Sequence, residues 1–196
     1  MKTSSITTVA ALMIVFGLTA LSQVPASQDL AVNVRFSATR AQTVPGTCCF
    51  YLAGGAADAA LSVLPHVAAV VEAAGQTASR VAGTSRGLST ITFLAGPRYT
   101  QPVGPRFSVA GQALFGAVRG FDADFSTAAG TADTATAFGL ALGGYAEYRL
   151  SSSLHVRVAQ FDYVQTNLPN GADNRQRNIR VGAGITFTVP LPQSRR

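Results

Sequence analysis

Residues 178–189 read NIRVGAGITFTV. Ile179, Val181, Ala183, Ile185, Phe187 and Val189 alternate with Arg180, Gly182, Gly184, Thr186 and Thr188. Side chains of a strand point to opposite faces in turn, so a strict period of two is a β-strand with one apolar face and one polar or small face. The apolar parity carries no charge, while the other accepts Arg180. Strands that cross a bilayer in a closed sheet have this signature, with lipid on one side and the interior on the other.

Working back toward the N-terminus, six more runs show the same exclusion of charge from one parity. Leu30 to Thr39 sets Leu30, Val32, Val34, Phe36 and Ala38 against Asn33, Arg35, Ser37 and Thr39. Tyr51 to Val63 sets Ala57, Ala59, Leu61 and Val63 against Gly54, Asp58 and Ser62, and Val67 to Gln76 sets Val67, Ala69, Val71 and Ala73 against Glu72 and Gln76. Thr90 to Tyr99 sets Ile91, Phe93, Ala95 and Tyr99 against Thr90, Thr92 and Arg98. The fifth run opposes Phe107, Val109, Ala113 and Phe115 to Ser108 and Gln112. The sixth opposes Phe138, Leu140, Leu142, Ala146 and Tyr148 to Tyr145, Glu147 and Arg149.

The seventh run, Leu154 to Tyr163, breaks the rule. With Val156 and Val158 facing out, Arg157 faces in, but Gln160 and Asp162 then fall on the lipid-facing parity. A bulge near Ala159, or an exit from the membrane before Asp162, restores the pattern. The sequence leaves both open.

Connection lengths carry a second periodicity. Leu64-Pro65-His66, Thr100 to Pro105 and Ser151-Ser152-Ser153 are short, whereas Arg40 to Phe50, Thr77 to Ser89, Ala117 to Ala135 and Val164 to Arg177 are longer and rich in small and polar residues. Alternating short and long connections with an even number of strands match the periplasmic turns and extracellular loops of an outer-membrane barrel. At the N-terminus, Lys2 precedes the short apolar stretch Val9 to Leu21 and then small residues, the pattern of a cleaved signal peptide. Cleavage after Ser22 or after Ala26 suits the small-residue rule. The apolar stretch is short of the roughly 20 residues that a spanning helix needs. The expected organisation is therefore a signal peptide over 1–26, a barrel over 28–189 and a short periplasmic tail over 190–196.

Composition narrows the function classes. The chain has 196 residues, 47% of them apolar, with no Trp and a sequence pI near 10. Its only Lys is Lys2, so the positive charge beyond the leader is Arg, spread singly through the chain and not gathered on one element. Such spacing argues against a nucleic-acid partner. About 170 residues after cleavage make one domain.

The stretches Phe93-Leu94-Ala95-Gly96-Pro97-Arg98-Tyr99, Gly111-Gln112-Ala113-Leu114-Phe115-Gly116, Ala141-Leu142-Gly143-Gly144, Gln160-Phe161-Asp162-Tyr163 and Ile179 to Ile185 resemble those of the eight-stranded outer-membrane β-barrel family. The OmpA transmembrane domain and OmpX are its familiar members, and the compact "outer membrane protein beta-barrel domain" proteins are more similar still. The resemblance covers the mature chain and implies an all-β, eight-stranded antiparallel up-and-down transmembrane barrel in the outer membrane of a Gram-negative bacterium. It also implies contact with outer-membrane lipid and lipopolysaccharide, and with the barrel-assembly machinery during insertion. The sequence departs from the family at its end, where members commonly finish on an aromatic residue. Here Phe187 is followed by Thr188, Val189 and the tail.

A membrane imposes the parity of the charges, since a lipid-facing Arg at the midplane costs roughly 2 to 4 kcal/mol. Arg35, Asp58, Glu72, Arg98, Glu147, Arg149, Arg157 and Arg180 are thus expected in the lumen, which eight strands leave just wide enough to fill with side chains. Two arrangements suit them: ion pairs that close the bore, or charges solvated by trapped water. Tyr99, Phe107 and Tyr148 beside the short turns, with Tyr51, Phe115 and Phe138 (and Phe50) beside the long loops, suit aromatic girdles at the two interfaces.

Few residues suggest chemistry. Cys48 and Cys49 are adjacent, and a vicinal disulfide, free thiols and an intermolecular bridge are all open, the first being strained because neighbouring Cα atoms lie closer than the usual bridged separation. His66 and His155 both flank short turns, on the side opposite an outer-leaflet acyl chain. Asp122 and Asp124 read as a solvated acidic loop. No cofactor or metal motif is present. The expected role is structural or surface-presenting, adhesive or envelope-stabilising, without catalysis. The rivals are a small pore for ions or solutes and a lipid-modifying enzyme.

Overall fold

The computed structural model describes residues 29–42, 49–81, 86–127 and 130–191. Both proposed cleavage sites, Cys48 and the last residues of the tail lie outside these ranges. Eight strands follow one another: β1 (Asp29–Ala41), β2 (Phe50–Leu64), β3 (Val67–Ala78), β4 (Leu88–Pro102), β5 (Phe107–Thr127), β6 (Gly130–Arg149), β7 (Leu154–Thr166) and β8 (Gln176–Pro190). Each pairs antiparallel with the next, and β8 closes on β1, with Asp29 opposite Pro190 and Arg40 opposite Ile179. Closure removes every sheet edge, which hydrocarbon requires because an unpaired backbone amide there costs several kcal/mol.

The faces are the reverse of a water-soluble barrel. On β1, Asn33, Arg35, Ser37 and Thr39 are buried while Val34 and Phe36 are 59% and 63% exposed. The same alternation runs along β3, where Val71 is exposed and Glu72 buried, and along β8, where Ile179, Val181 and Ile185 are exposed and Arg180 and Thr186 buried. Buried charge beside exposed large apolar side chains is a stable arrangement only when the outside solvent is lipid.

β7 carries the first of the two explanations for its broken period. Its register against β8 shifts between Arg157 and Gln160, and the matching shift against β6 falls between Ala146 and Glu147. Val158 and Ala159 together fill one outward position, so Arg157, Gln160 and Asp162 all turn inward, at 0%, 1% and 2% exposure. An extra residue in one strand is a β-bulge, and its effect here is to keep a carboxylate out of lipid.

The expected loop Ala117 to Ala135 is instead mostly strand. β5 and β6 continue as a two-stranded ribbon, with Val118 opposite Ala137, Phe121 opposite Thr134 and Ser126 opposite Thr131. A register shift between Phe121 and Phe125 includes Asp122 at φ 66°. The small and polar residues of this ribbon resemble a loop, yet Phe121 to Ser126 alternate apolar and polar as a strand does. At the other end, the β2–β3 turn is pinned to β4: His66 has φ 66°, its Nδ1–H donates to the Thr100 carbonyl at 2.9 Å, and Thr100 N–H donates back to His66 O at 2.8 Å.

Candidate functional site

Inside the barrel the inward side chains of all eight strands meet. Asp58 of β2 is the hub. Its Oδ2 accepts from Arg35 Nη1 at 2.7 Å and from Arg157 Nη1 at 3.0 Å, and its Oδ1 accepts from Arg98 Nη2 at 2.8 Å. Glu72 of β3 faces both Arg35 and Arg180, the latter at 2.7 Å but without an aligned hydrogen bond to Oε1. Glu147 of β6 accepts from Arg157 Nε at 3.0 Å, and Asp162 of β7 accepts from Arg180 Nη2 at 2.9 Å.

Neutral groups complete the seal. Gln112 of β5 accepts from Arg98 and donates to Asp162, while Gln160 accepts from Arg157 and donates to Asp162. Thr186 of β8 donates to Glu147 at 2.6 Å and accepts from Asn33 of β1 at 3.0 Å. The Arg157 guanidinium lies 3.7 Å from the centre of the Tyr145 ring, which shields a face of the cation that hydrogen bonds leave bare. Guanidinium forks suit this role because each presents several donors in one plane to more than one carboxylate.

Four arginines (Arg35, Arg98, Arg157, Arg180) meet four carboxylates (Asp58, Glu72, Glu147, Asp162) within ion-pair distance. The network is formally neutral, as buried charge must be. Arg149 is a correction. It shares the inward parity of Glu147 but is the last residue of β6, exposed to water, and its guanidinium reaches the Pro105 carbonyl across the turns. Asp162 takes its place, brought in by the bulge. Gly143 and Gly184 make room: a Cβ on Gly143 would meet Asp162 Oδ1, and one on Gly184 would meet the Arg35 side chain.

Beside the charges packs an apolar cluster that includes Leu94, Leu114, Ala141, Val164 and Val70, all nearly or fully buried. At the long-loop end opens a cavity of about 430 Å³, whose lining includes Val164 and Arg180. Two separate buried clusters form its walls. Ala41, Phe50, Leu52, Ala78 and Val81 pack on one side, and Val118, Ala123, Phe125 and Leu168 on the other, with Leu88 touching both. The β5–β6 ribbon supplies Ala123 and Phe125, so the segment missed as strand is also what builds a wall. Its signal in the sequence is the alternation Phe121-Asp122-Ala123-Asp124-Phe125-Ser126, in which Ala123 and Phe125 are the buried residues.

The remaining expected sites lie apart. Tyr51, Phe115, Phe138, Tyr99 and Phe107 face outward, and Phe107 stacks edge-on against Tyr148 with ring centres 5.0 Å apart. Phe36, Phe93, Phe161 and Phe187 are exposed too, so the outward aromatics are not confined to two rings. Cys49 is half-buried just before β2. Asp124 pairs with Arg86 at 3.1 Å, and Asp122 occupies the bulge of β5. Among the described residues no group of three His, Cys, Asp or Glu is placed to hold a metal.

No family model matches this sequence, and no curated protein matches it. Solved structures do match the fold. The Neisserial surface protein A structure aligns at TM-score 0.63 and 14% identity over 81% of this chain and 96% of that one. Ail, the attachment invasion locus protein of Yersinia pestis, in complex with the heparin analogue sucrose octasulfate, aligns at 0.56 and 11% over 84% and 100%. The outer membrane protein OprG of Pseudomonas aeruginosa aligns at 0.51 and 10% over 84% and 97%.

Proposed function

We propose that this chain, which has the fold of the eight-stranded outer-membrane barrels, resides in the outer membrane as a closed, non-catalytic barrel that stabilises the envelope and presents its long-loop end at the surface. The observation that carries this reading is the network around Asp58. Donors and acceptors from every strand cross the bore, and a hydrated ion would have to part pairs that are almost wholly removed from solvent. Opening such a seal leaves buried charges unpaired, which is strongly unfavourable.

The same geometry counts against the enzyme reading. His66 is held in a turn at the end away from the long loops, and His155 is the second residue of β7 at that same end. Neither stands near a nucleophile at the cavity, where an outer-leaflet substrate would lie.

The test is conductance of the refolded protein in planar bilayers. The wild type is expected to show no long-lived open level, and Glu72→Ala and Arg98→Ala to raise the frequency of openings. A large, stable pore in the wild type sinks the closed-barrel reading in favour of a channel.

A further inference from the structure

The cavity at the long-loop end has no part in sealing the bore, yet its wall is organised. Most of its polar side chains are hydrogen-bonded within the wall itself. Thr39 donates to Gln76 Oε1, and Gln76 Nε2 donates to Ser37. Thr166 and the Leu168 amide donate to Gln176 Oε1, while Gln176 Nε2 donates to the Leu168 carbonyl. Asn178 accepts from the Gln42 amide, Thr92 donates to Ala74 O, and Arg180 is engaged by Asp162 and Glu72. What remains to face the space is mainly the two apolar clusters described above.

Folded interiors close voids between apolar walls, because unfilled space forfeits dispersion contacts on both sides. Here two clusters that share Leu88 are held apart across about 430 Å³. A cavity of roughly 150 Å³ lined by Leu, Ile and Phe suffices for benzene, so this one has room for a hydrocarbon moiety of roughly a dozen carbons. Concave, mostly apolar spaces of this size are where small ligands bind.

We propose that this cavity is a binding site for a small uncharged hydrocarbon moiety, an aliphatic chain or a compact aromatic, seated between the Phe50–Leu52–Val81 wall and the Val118–Phe125–Leu168 wall above the sealed bore. Most of the lining's polar groups pair with one another and mainly apolar side chains face the space, which suits an uncharged moiety. A polar end therefore lies at the open rim, beside the exposed Arg86–Asp124 pair. The source is either a free hydrocarbon from the medium or the acyl chain of a surrounding lipid, which share this chemistry.

The experiment is a methyl NMR titration of the full barrel in nanodiscs of perdeuterated phosphatidylcholine, with n-decane as probe. Saturable shifts at Leu88, Val118 and Leu168, with no saturating response at the lipid-facing Val34 and Val71, are expected. Contacts from protonated phosphatidylcholine to Leu88 without decane would assign the site to a lipid chain and equally support it. Ala123→Phe, checked for a folded heat-modifiable band, fills the cavity and is expected to abolish the Leu88 response. Linear, non-saturating shifts at all methyls alike, or an unchanged response in Ala123→Phe, would overturn the proposal. Conductance reads the bore and this titration reads the cavity, so either idea can fail alone.

Discussion

Arg157 of β7 and Asp58 of β2 meet at 3.0 Å across the bore, on strands that are not neighbours in the sheet. Such a contact exists only because β8 returns to β1. It ties barrel closure to charge pairing: the sheet cannot open without separating these charges, and the charges cannot find partners until the sheet closes. A barrel with an Arg at each of these positions but no common acceptor would gather like charges in a space too narrow to hydrate them.

Asp58→Ala is therefore expected to be the most damaging single truncation in the network. It removes one acceptor from each of Arg35, Arg98 and Arg157 at once. Breaking a buried pair by deleting one partner typically costs about 3 to 5 kcal/mol. Urea unfolding in lipid vesicles, followed by the loss of the fast-migrating band, reads this as a much lower midpoint. A midpoint within error of the wild type would mean the pairs contribute nothing net.

Arg149 and Arg157 share a strand-to-strand hairpin and the same expected parity, but the structure separates them. Arg157→Ala is expected to lower the unfolding midpoint sharply, since its guanidinium serves Asp58, Glu147 and Gln160. Arg149→Ala, at the wet end of β6, should leave the midpoint in place. Equal effects of the two substitutions would return Arg149 to the network.

Parity made most of this legible in advance, because lipid penalises charge on one face and so writes the inward positions of Arg35, Asp58, Glu72, Arg98 and Arg180 into the sequence. Partners were not legible. Which charges meet depends on the stagger between strands, and β2 and β7 become close only after closure. Asp162 was hidden by a bulge that reverses its parity, and the β5–β6 ribbon by the register shift between Phe121 and Phe125, which moves the inward positions of β5 from Val118 and Gly120 to Ala123 and Phe125. The apolar cavity comes from residues far apart in sequence, Phe50, Val118 and Leu168 among them, and no periodicity links them.

Asp173 reports on the loop before β8. Its carboxylate accepts from Asn170 Nδ2 at 3.2 Å and from the Arg175 amide at 3.1 Å, and these bonds hold its pKa below the ordinary carboxylate value. A depressed pKa in the folded state means the contacts are fully present above the unfolded value of about 3.9 and fade as pH falls through the lower folded one. Exchange of the Arg175 amide with solvent, corrected for intrinsic rate, should gain protection as pH rises from the lowered folded value through the unfolded one of about 3.9 and then level off. Asp173→Asn should flatten that rise; a rise that survives the substitution would point to another group.

The bulge in β7 makes a prediction about deletions that runs against ordinary expectation. Removing one residue from a strand moves everything on one side of the cut to the opposite face. In β7, however, Val158 and Ala159 share a single outward position, so deleting Ala159 leaves Arg157, Gln160 and Asp162 all facing in and makes the register regular against both β6 and β8. Deleting Ala183 from the regular β8 has the opposite result: it forces either Arg180 or Thr186 to the lipid face, and a lipid-facing Arg near the midplane costs roughly 2 to 4 kcal/mol. With Arg180 turned out, Glu72 and Asp162 also lose a partner. The Ala159 deletion is expected to keep the heat-modifiable, protease-resistant barrel, and the Ala183 deletion to lose it. If both deletions fail alike, the bulge is needed for the shape of the barrel itself and not only to correct the parity of β7.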